Sequence, residues 1–261
     1  GVKVNNCRGI EPWCLDEMHK AWSLPMPRIV VGSHLVKLMR EDGSNDPIFV
    51  APNGIDAKDY FPSQPESARD GVGVVYHGAE VKDPALIVGV LRRLAEGRPK
   101  LPFYVFSTFP NPGCLPATTT FVRFPSLPTA RDLYSRSKVW FMASRNEGFG
   151  NPLLEAASCG CALVSTDCGG ASDIITHERG GFIVPVGDID AMTRAIERLL
   201  DDEELRREFR AQALQTARRF TWDNAVNSFE QALNGITSQL SKLPSGLAEE
   251  PKRHARQSVG P

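Results

Sequence analysis

Residues 139–166 read VWFMASRNEGFGNPLLEAASCGCALVST, and the order of three segments inside them sets the architecture. VWFMAS (139–144) and ALVST (162–166) are short β-rich apolar runs of the length of buried strands. Between them, residues 152–158 carry helix punctuation: Asn151 suits the N-cap, Pro152 the first helical position, and Gly160 the position just past the end. A strand, a helix and a strand joined in this way form a crossover, which makes the two strands parallel neighbours. The Asn151 end of the helix points back into the loop NEGFG (146–150), at the carboxyl edge of the sheet. Open α/β folds place their ligands at that edge.

Working outward, the same alternation continues in both directions. Towards the N-terminus, GVGVVYHG (71–78), FYVFST (103–108) and TFVRF (120–124) read as strands. LIVGVLRRLAEG (86–97) is a helix stopped by Gly97, and ARDLYSRS (130–137) is another. Earlier still, Ile29–Val31 and Ile48–Ala51 are β-rich runs around HLVKLMRE (34–41), whose Leu35, Leu38 and Met39 share one helical face. APNGID (51–56) supplies a turn through Asn53 and Gly54, and the polar stretch Pro62–Asp70 reads as a linker. Towards the C-terminus, GFIVPV (181–186) is a strand and Asp190 is placed to cap the helix carrying Ala195, Ile196, Leu199 and Leu200. Residues 202–236 read as helical with a break near Phe220–Asp223. The expected fold is α/β, with a doubly wound parallel sheet.

The whole chain sets looser bounds. Its 261 residues are 41% hydrophobic and 23% charged with a net charge of −1, an ordinary globular composition that gives no ground for a bulk nucleic-acid binder. No apolar run approaches the ~20 residues of a membrane span; the longest is ALIVGVL at 85–91. The six cysteines (Cys7, Cys14, Cys114, Cys159, Cys161 and Cys168) form no CxxC pair and read as reduced thiols, mostly small core residues, in a cytoplasmic chain. The start, Gly-Val-Lys-Val-Asn-Asn, has the character of an interior strand with no preceding methionine, as in a fragment. Beyond Leu240 the tail is rich in Pro, Ser, Gly and charge and is expected to be disordered. Its basic cluster Lys252, Arg253, His254 and Arg256 reads as a solvated tail.

The loop 146–150 combines glycines with a helix start, which together receive an anion: the glycines let a ligand approach the backbone, and the helix dipole is positive there. The same dipole stabilises a bare carboxylate such as Glu155 by ~0.3–1 kcal/mol. That explains Glu155 but not Glu147, which precedes the glycines. A carboxylate accepts two hydrogen bonds at once and so suits vicinal hydroxyls. Two carboxylates flanking an anion site therefore describe a nucleotide sugar, with the sugar at one end, the diphosphate between and the ribose at the other.

The stretch SRNEGFGNPLLEAASCGCALVSTDCGGASDII (144–175) resembles the donor-site signature of family 4 glycosyltransferases, retaining enzymes of the GT-B fold. APNGIDAKDYF (51–61) resembles that family's interdomain linker. The resemblance implies a division into residues 1–62 (a partial N-terminal acceptor domain and linker), 63–220 (a Rossmann-like nucleotide-sugar domain), 221–240 (a crossover helix) and 241–261 (the tail). NNCRGIEPW, with Glu11 and Trp13, and RIVVGSHLVKLM resemble late parts of the N-terminal domain, most of which is missing.

By the same resemblance Glu147 contacts the donor sugar and stabilises charge at its anomeric carbon, and Glu155 holds the ribose diol. Gly148, Phe149 and Gly150 offer backbone amides, and Asn151 and Leu154 lie in the same wall, where capping and core packing are the plainer accounts. In YHGAEVKDP (76–84), Gly78 ends the strand and Lys82 matches a diphosphate-binding lysine, but Ala79 stands where the family usually has an arginine. His77, if protonated, and Arg145 are the nearby substitutes. The base is expected at the loop Pro125–Thr129, and Gly169-Gly170 fits either a tight turn beside the donor or close packing.

The implied reaction is retaining, metal-independent transfer to a hydroxyl acceptor, a glycan or a lipid-linked molecule, with no cofactor beyond the donor. It would take place in the cytoplasm or peripherally at the inner face of a membrane. Two other readings stay open: a non-catalytic sugar-nucleotide-binding or partner-docking module, and a GT-B sugar-nucleotide epimerase.

Overall fold

The computed structural model describes residues 17–240 other than Met18. The segment holding Cys7, Glu11, Trp13 and Cys14, and the tail 241–261 with its basic cluster, lie outside the described residues. In chain order the elements are β1 (Arg28–Val30), α1 (Ser33–Glu41), β2 (Ile48–Val50), β3 (Gly71–Tyr76), α2 (Pro84–Gly97), β4 (Phe103–Ser107), β5 (Thr119–Arg123), α3 (Leu127–Arg136), β6 (Ser137–Met142), α4 (Asn151–Ser158), β7 (Ala162–Thr166), β8 (Phe182–Val184), α5 (Ile189–Asp201), α6 (Glu203–Ala217) and α7 (Trp222–Leu240). Short 3-10 turns occupy Glu66–Ala68, Glu80–Lys82 and Gly170–Asp173.

The strands form two parallel sheets, one of β1 and β2 and one of six strands in the order β5-β4-β3-β6-β7-β8. In the larger sheet the chain starts in the middle at β3, winds outward through β4 and β5, returns to the middle at β6 and winds the other way. β3 and β6 therefore meet where the winding direction reverses, and the loops after them open a crevice at their carboxyl ends. The loop after β3 carries Lys82 and the loop after β6 carries Glu147, so the topology alone brings residues 65 positions apart to one edge.

Both faces of this sheet are covered, as its nearly continuous apolar strands require. On one face Leu86, Ile87, Val90, Leu91 and Leu94 of α2 and Met192, Ile196 and Leu199 of α5 pack with Val72, Val105, Phe141 and Val164. On the other face Tyr134 of α3 and Leu153, Leu154, Ala156 and Ala157 of α4 pack with Trp140 and Leu163. Large side chains such as Trp140, Phe103 and Phe141 are completely buried, each contributing about 1.5–3 kcal/mol of transfer free energy. Cys159, Cys161 and Cys168 are unpaired and buried in the second cluster. Burial pushes the Cys161 thiol up to about 12 and the Cys168 thiol up to about 11, so both stay protonated.

α7 leaves the six-stranded sheet and packs on the small one. Its Ala232 and Ile236 join Ile29 and Ala51. The outgoing and returning chains run side by side, with Ile55 bridged to Thr221 and the Ile55 amide donating to the Phe220 carbonyl at 2.8 Å. Residues 59–64 lie against α3: the Ser63 amide donates to Ser135 Oγ (3.0 Å), Gln64 donates to Asp132 (2.9 Å), and Arg131 donates to the Asp59 carbonyl (3.2 Å). Among the described residues no helix is long and apolar enough to cross a membrane.

Two caps differ from the expectation. Asp188, not Asp190, caps α5 by accepting from the Ala191 amide at 2.8 Å, while Asp190 pairs with Arg93 on α2. Asn151 is the first residue of α4, not its cap, which is Gly150 at φ 95°, ψ 49°. The left-handed turn is open to glycine at no steric cost, and it turns the chain from the loop into the helix where a side-chain cap was anticipated.

Candidate functional site

The loop after β6 is fixed from three sides. The Glu147 amide donates to the Cys168 carbonyl at 2.8 Å, pairing the loop with the segment after β7. The Arg145 amide donates to the Val81 carbonyl at 2.8 Å, and the Arg145 guanidinium lies 2.9 Å from the buried carboxylate of Asp83. Asp83 in turn caps α2 by accepting from the Leu86 amide, from a left-handed backbone at φ 47°. Behind the loop lie Gly169 and Gly170. A Cβ on Gly170 would sit 2.5 Å from the Phe149 carbonyl oxygen, so the close approach of the two backbones requires glycine there. This favours close packing as the reason for the pair.

Glu147 and Lys82 form an ion pair across the mouth between β3 and β6, and Ser144 Oγ donates to the same Glu147 oxygen at 2.7 Å. The lysine side chain is 32% exposed and the glutamate 13%, so solvent or a ligand reaches the lysine more readily than its partner. Gly78 is exposed and Ala79 half-exposed in the same turn. His77 stacks edge-on against Phe109 at 4.2 Å, and its Nδ1 accepts from the Ala79 amide at 3.1 Å. Burial, and then the neighbouring Lys82 charge, hold His77 below its ordinary value of 6.5, with Glu147 opposing. It therefore stays neutral at neutral pH and supplies no substitute charge for the arginine that Ala79 lacks. Arg145, half-exposed but tied to Asp83, is the cation beside the site.

Glu155 lies on the fifth residue of α4, one turn deeper than a first-turn position. Its Oε2 accepts from the Tyr134 hydroxyl at 2.7 Å, and the Tyr60 phenol lines the same cavity close enough to act on the carboxylate electrostatically. Burial raises its proton affinity above the ordinary carboxylate range, and the two tyrosines pull it back. The carboxylate lines a cavity of about 270 Å³ together with Asn151 and Leu154 of α4, Leu127 at the start of α3, Gly54, Ile55, Asp56, Asp59 and Tyr60 of the stretch joining the two sheets, and Trp222. Asn151 is exposed and accepts from Asn53 at 2.8 Å. Leu154 is buried, as is Phe149, whose ring packs on Phe220 at 5.4 Å. Phe149 thus offers the site only its backbone.

The two carboxylates thus have separate partners, Lys82 and Ser144 for one, tyrosines for the other, on either side of the start of α4. Sequence reasoning missed Ser144, Tyr60 and Tyr134. It missed equally the contacts of the small sheet's unit: Ser33 donates its amide (2.8 Å) and its hydroxyl to Asp173, and His34 lies between Gly32 and Gly169. Ser144 lies three positions from Glu147, and the other pairs are far apart in sequence; no spacing announces any of them.

Residues 115–216, from just before β5 to the last turn of α6, match the family described as glycosyl transferases group 1. A D-inositol 3-phosphate glycosyltransferase of Jonesia denitrificans is 27% identical over 177 residues, covering 61% of this chain and 42% of that protein. A serotype-specific mannosyltransferase, WbdA of Escherichia coli, is 30% identical over 117 residues, 45% of this chain and 14% of that protein. The chain spans less than half the length of these relatives.

Among solved structures, sucrose-phosphate synthase from Thermosynechococcus elongatus superposes with a TM-score of 0.73 at 19% identity, over 88% of this chain and 63% of that one. Anabaena HepE in complex with UDP-glucose superposes with a TM-score of 0.67 at 18% identity, over 82% and 64%. The likeness is one of fold, the parallel-sheet α/β fold of GT-B glycosyltransferases. Over residues 115–216, which hold most of its six-stranded α/β unit, the chain is similar to the glycosyl transferases group 1 family.

Proposed function

We propose that the chain transfers a sugar from a nucleoside-diphosphate sugar to a hydroxyl acceptor, a glycan or a lipid-linked molecule. The nucleoside fills the cavity beside Glu155, whose carboxylate takes the ribose diol, with the base against Leu127 at the start of α3. The diphosphate crosses the start of α4, where Lys82 and the helix dipole meet its charge. The sugar then reaches Glu147, which stabilises charge developing at the anomeric carbon. Anomeric configuration is retained, the departing phosphate assists acceptor deprotonation, and no metal or cofactor takes part. The reaction belongs in the cytoplasm or at the inner face of a membrane.

The observation that carries this reading is the arrangement around α4: two carboxylates with independent polar partners on either side of one glycine-capped helix start, at the edge where β3 and β6 diverge. The bound UDP-glucose in the HepE structure supports the choice of ligand class. Ala79 favours one alternative, a module that binds the donor without turning it over, because an arginine contact to phosphate is worth about 1.5–3 kcal/mol. That alternative predicts the same affinity pattern with no product.

Calorimetry and thermal shift with UDP, GDP and ADP test the proposal. A nucleotide at ~100 times its dissociation constant should stabilise the fold by about 2.7 kcal/mol, and Lys82→Ala should weaken its binding about tenfold or more. If none of the three nucleotides moves the melting temperature, the proposal fails.

A further inference from the structure

Three elements converge on Glu155, and two of them supply only phenols. Tyr134 comes from α3, is wholly buried and donates to Glu155 Oε2 at 2.7 Å. Tyr60 comes from the stretch joining the two sheets, lines the cavity and stands edge-on to Tyr134 with ring centroids 6.2 Å apart. We infer that Tyr134 and Tyr60 are positioning residues that hold the Glu155 carboxylate ionised and aimed into the cavity, so that it grips the ribose diol. The inference rests on the proposed role of Glu155 and extends it to residues that act through that carboxylate.

The physical argument is one of satisfaction. A carboxylate in a largely buried position must have donors or take up a proton. Here burial drives both phenols well above their ordinary value of 10, so they remain protonated and donate throughout the neutral range. Tyr134 occupies one acceptor position on Oε2 and Tyr60 stands beside the carboxylate in the same cavity wall, which leaves acceptor positions on a cavity-lining group for a vicinal diol. The other titratable groups around Glu155 are Cys159 on its own helix end and Asp56 and Asp59 on the interdomain stretch that shares the cavity wall. No cationic side chain is among the described residues lining that wall. Tyr60 also ties the site to the chain between the sheets, whose neighbour Asp59 is held by Arg131.

The test compares UDP and GDP with their 2′,3′-dideoxy counterparts by calorimetry from pH 6 to 8.5, in the wild type, Tyr134→Phe and Tyr60→Phe. The wild type should prefer the ribonucleotide by roughly tenfold or more, as for hydrogen bonds to a charged acceptor. In the variants the preference should fall to about threefold or less. Losing a donor raises the proton affinity of Glu155, so the pH below which the preference fades should move upward. A merely structural role weakens both ligand forms alike; an unchanged ratio and pH profile in both variants overturns the inference. A wild type without preference removes the role of Glu155 itself, and with it that of the tyrosines. Should Tyr134→Phe fail to fold, the half-buried Tyr60→Phe decides the question alone.

Discussion

At the scale of single residues, Glu155 and Glu147 show one chemical group in two settings. Glu147 shares a lysine and a serine hydroxyl, whereas Glu155 has only phenolic donors and deeper burial, and its proton affinity is raised. Because the folded-state value lies above the ordinary 4.5, the folded chain keeps a proton that the unfolded chain has already released. Its contribution to stability is full below the ordinary value and is lost as pH rises through the folded one. At pH 7.5 the ionised group is thus a cost that function imposes. Glu155→Gln keeps the shape and an oxygen for the Tyr134 hydroxyl. The variant should melt above the wild type at pH 7.5, the gap should narrow towards pH 5, and the stabilisation by UDP or GDP should disappear. Melting curves at the two pH values check this, and a variant that melts lower at pH 7.5 while still responding to nucleotide contradicts it.

At the scale of elements, the loop after β6 is hydrogen-bonded to the segment after β7, and glycine is what lets the two backbones come so close. A Cβ at Gly170 would meet the oxygen, carbonyl carbon and Cα of Phe149 at 2.5, 2.6 and 2.7 Å, all backbone. No side chain can swing aside, so the loop must move. Gly170→Ala is expected to cost about 1–3 kcal/mol, as overpacking does. Gly113→Ala, at φ 72° with open space around it, costs a similar ~1–2 kcal/mol of left-handed strain. The nucleotide response separates them: it should vanish in Gly170→Ala and survive in Gly113→Ala. Equal responses in a thermal-shift titration would show that the loop position does not matter.

The elements themselves were legible because β-rich runs alternate with helical periodicity, and the six strands of the large sheet fall on the runs read from the sequence. The caps were less so: Asp188 and Asp190 are both good capping residues, and only the geometry of the preceding turn chooses between them. Glu147 came into view through the glycine loop beside it and Lys82 through family resemblance, but their pairing did not, since no local pattern links positions that only sheet order unites. Tyr134 lay unremarked inside the helix read over 130–137; that its hydroxyl reaches Glu155, 21 positions on, depends on how α3 and α4 pack.

At the scale of the whole molecule, the small and large sheets meet at the site. The Ser33 amide and hydroxyl bind Asp173, and the Gly148 carbonyl lies where a Cβ on Gly32 would fall, at 2.5 Å. The His34 ring fills the space between Gly32 and Gly169 with both nitrogens buried and without a hydrogen-bond partner. Burial holds its pKa below the ordinary 6.5, against the pull of Asp173, the Glu147 backbone and Asp167. Between the folded value and 6.5 the unfolded chain binds more protons, so stability rises with pH across that window, is fully present above it and is lost as pH falls through the folded value. His77 is shifted the same way and adds to the slope. His34→Phe keeps a ring between the glycines and removes the titration. Its absolute stability depends on how the junction takes the slightly larger ring, but its slope does not. Urea unfolding from pH 5 to 7.5 should show stability climbing less steeply in His34→Phe than in the wild type. Parallel slopes would mean that the junction between the sheets opens to water before the imidazole takes up its proton, and that His34 does not couple their docking to pH.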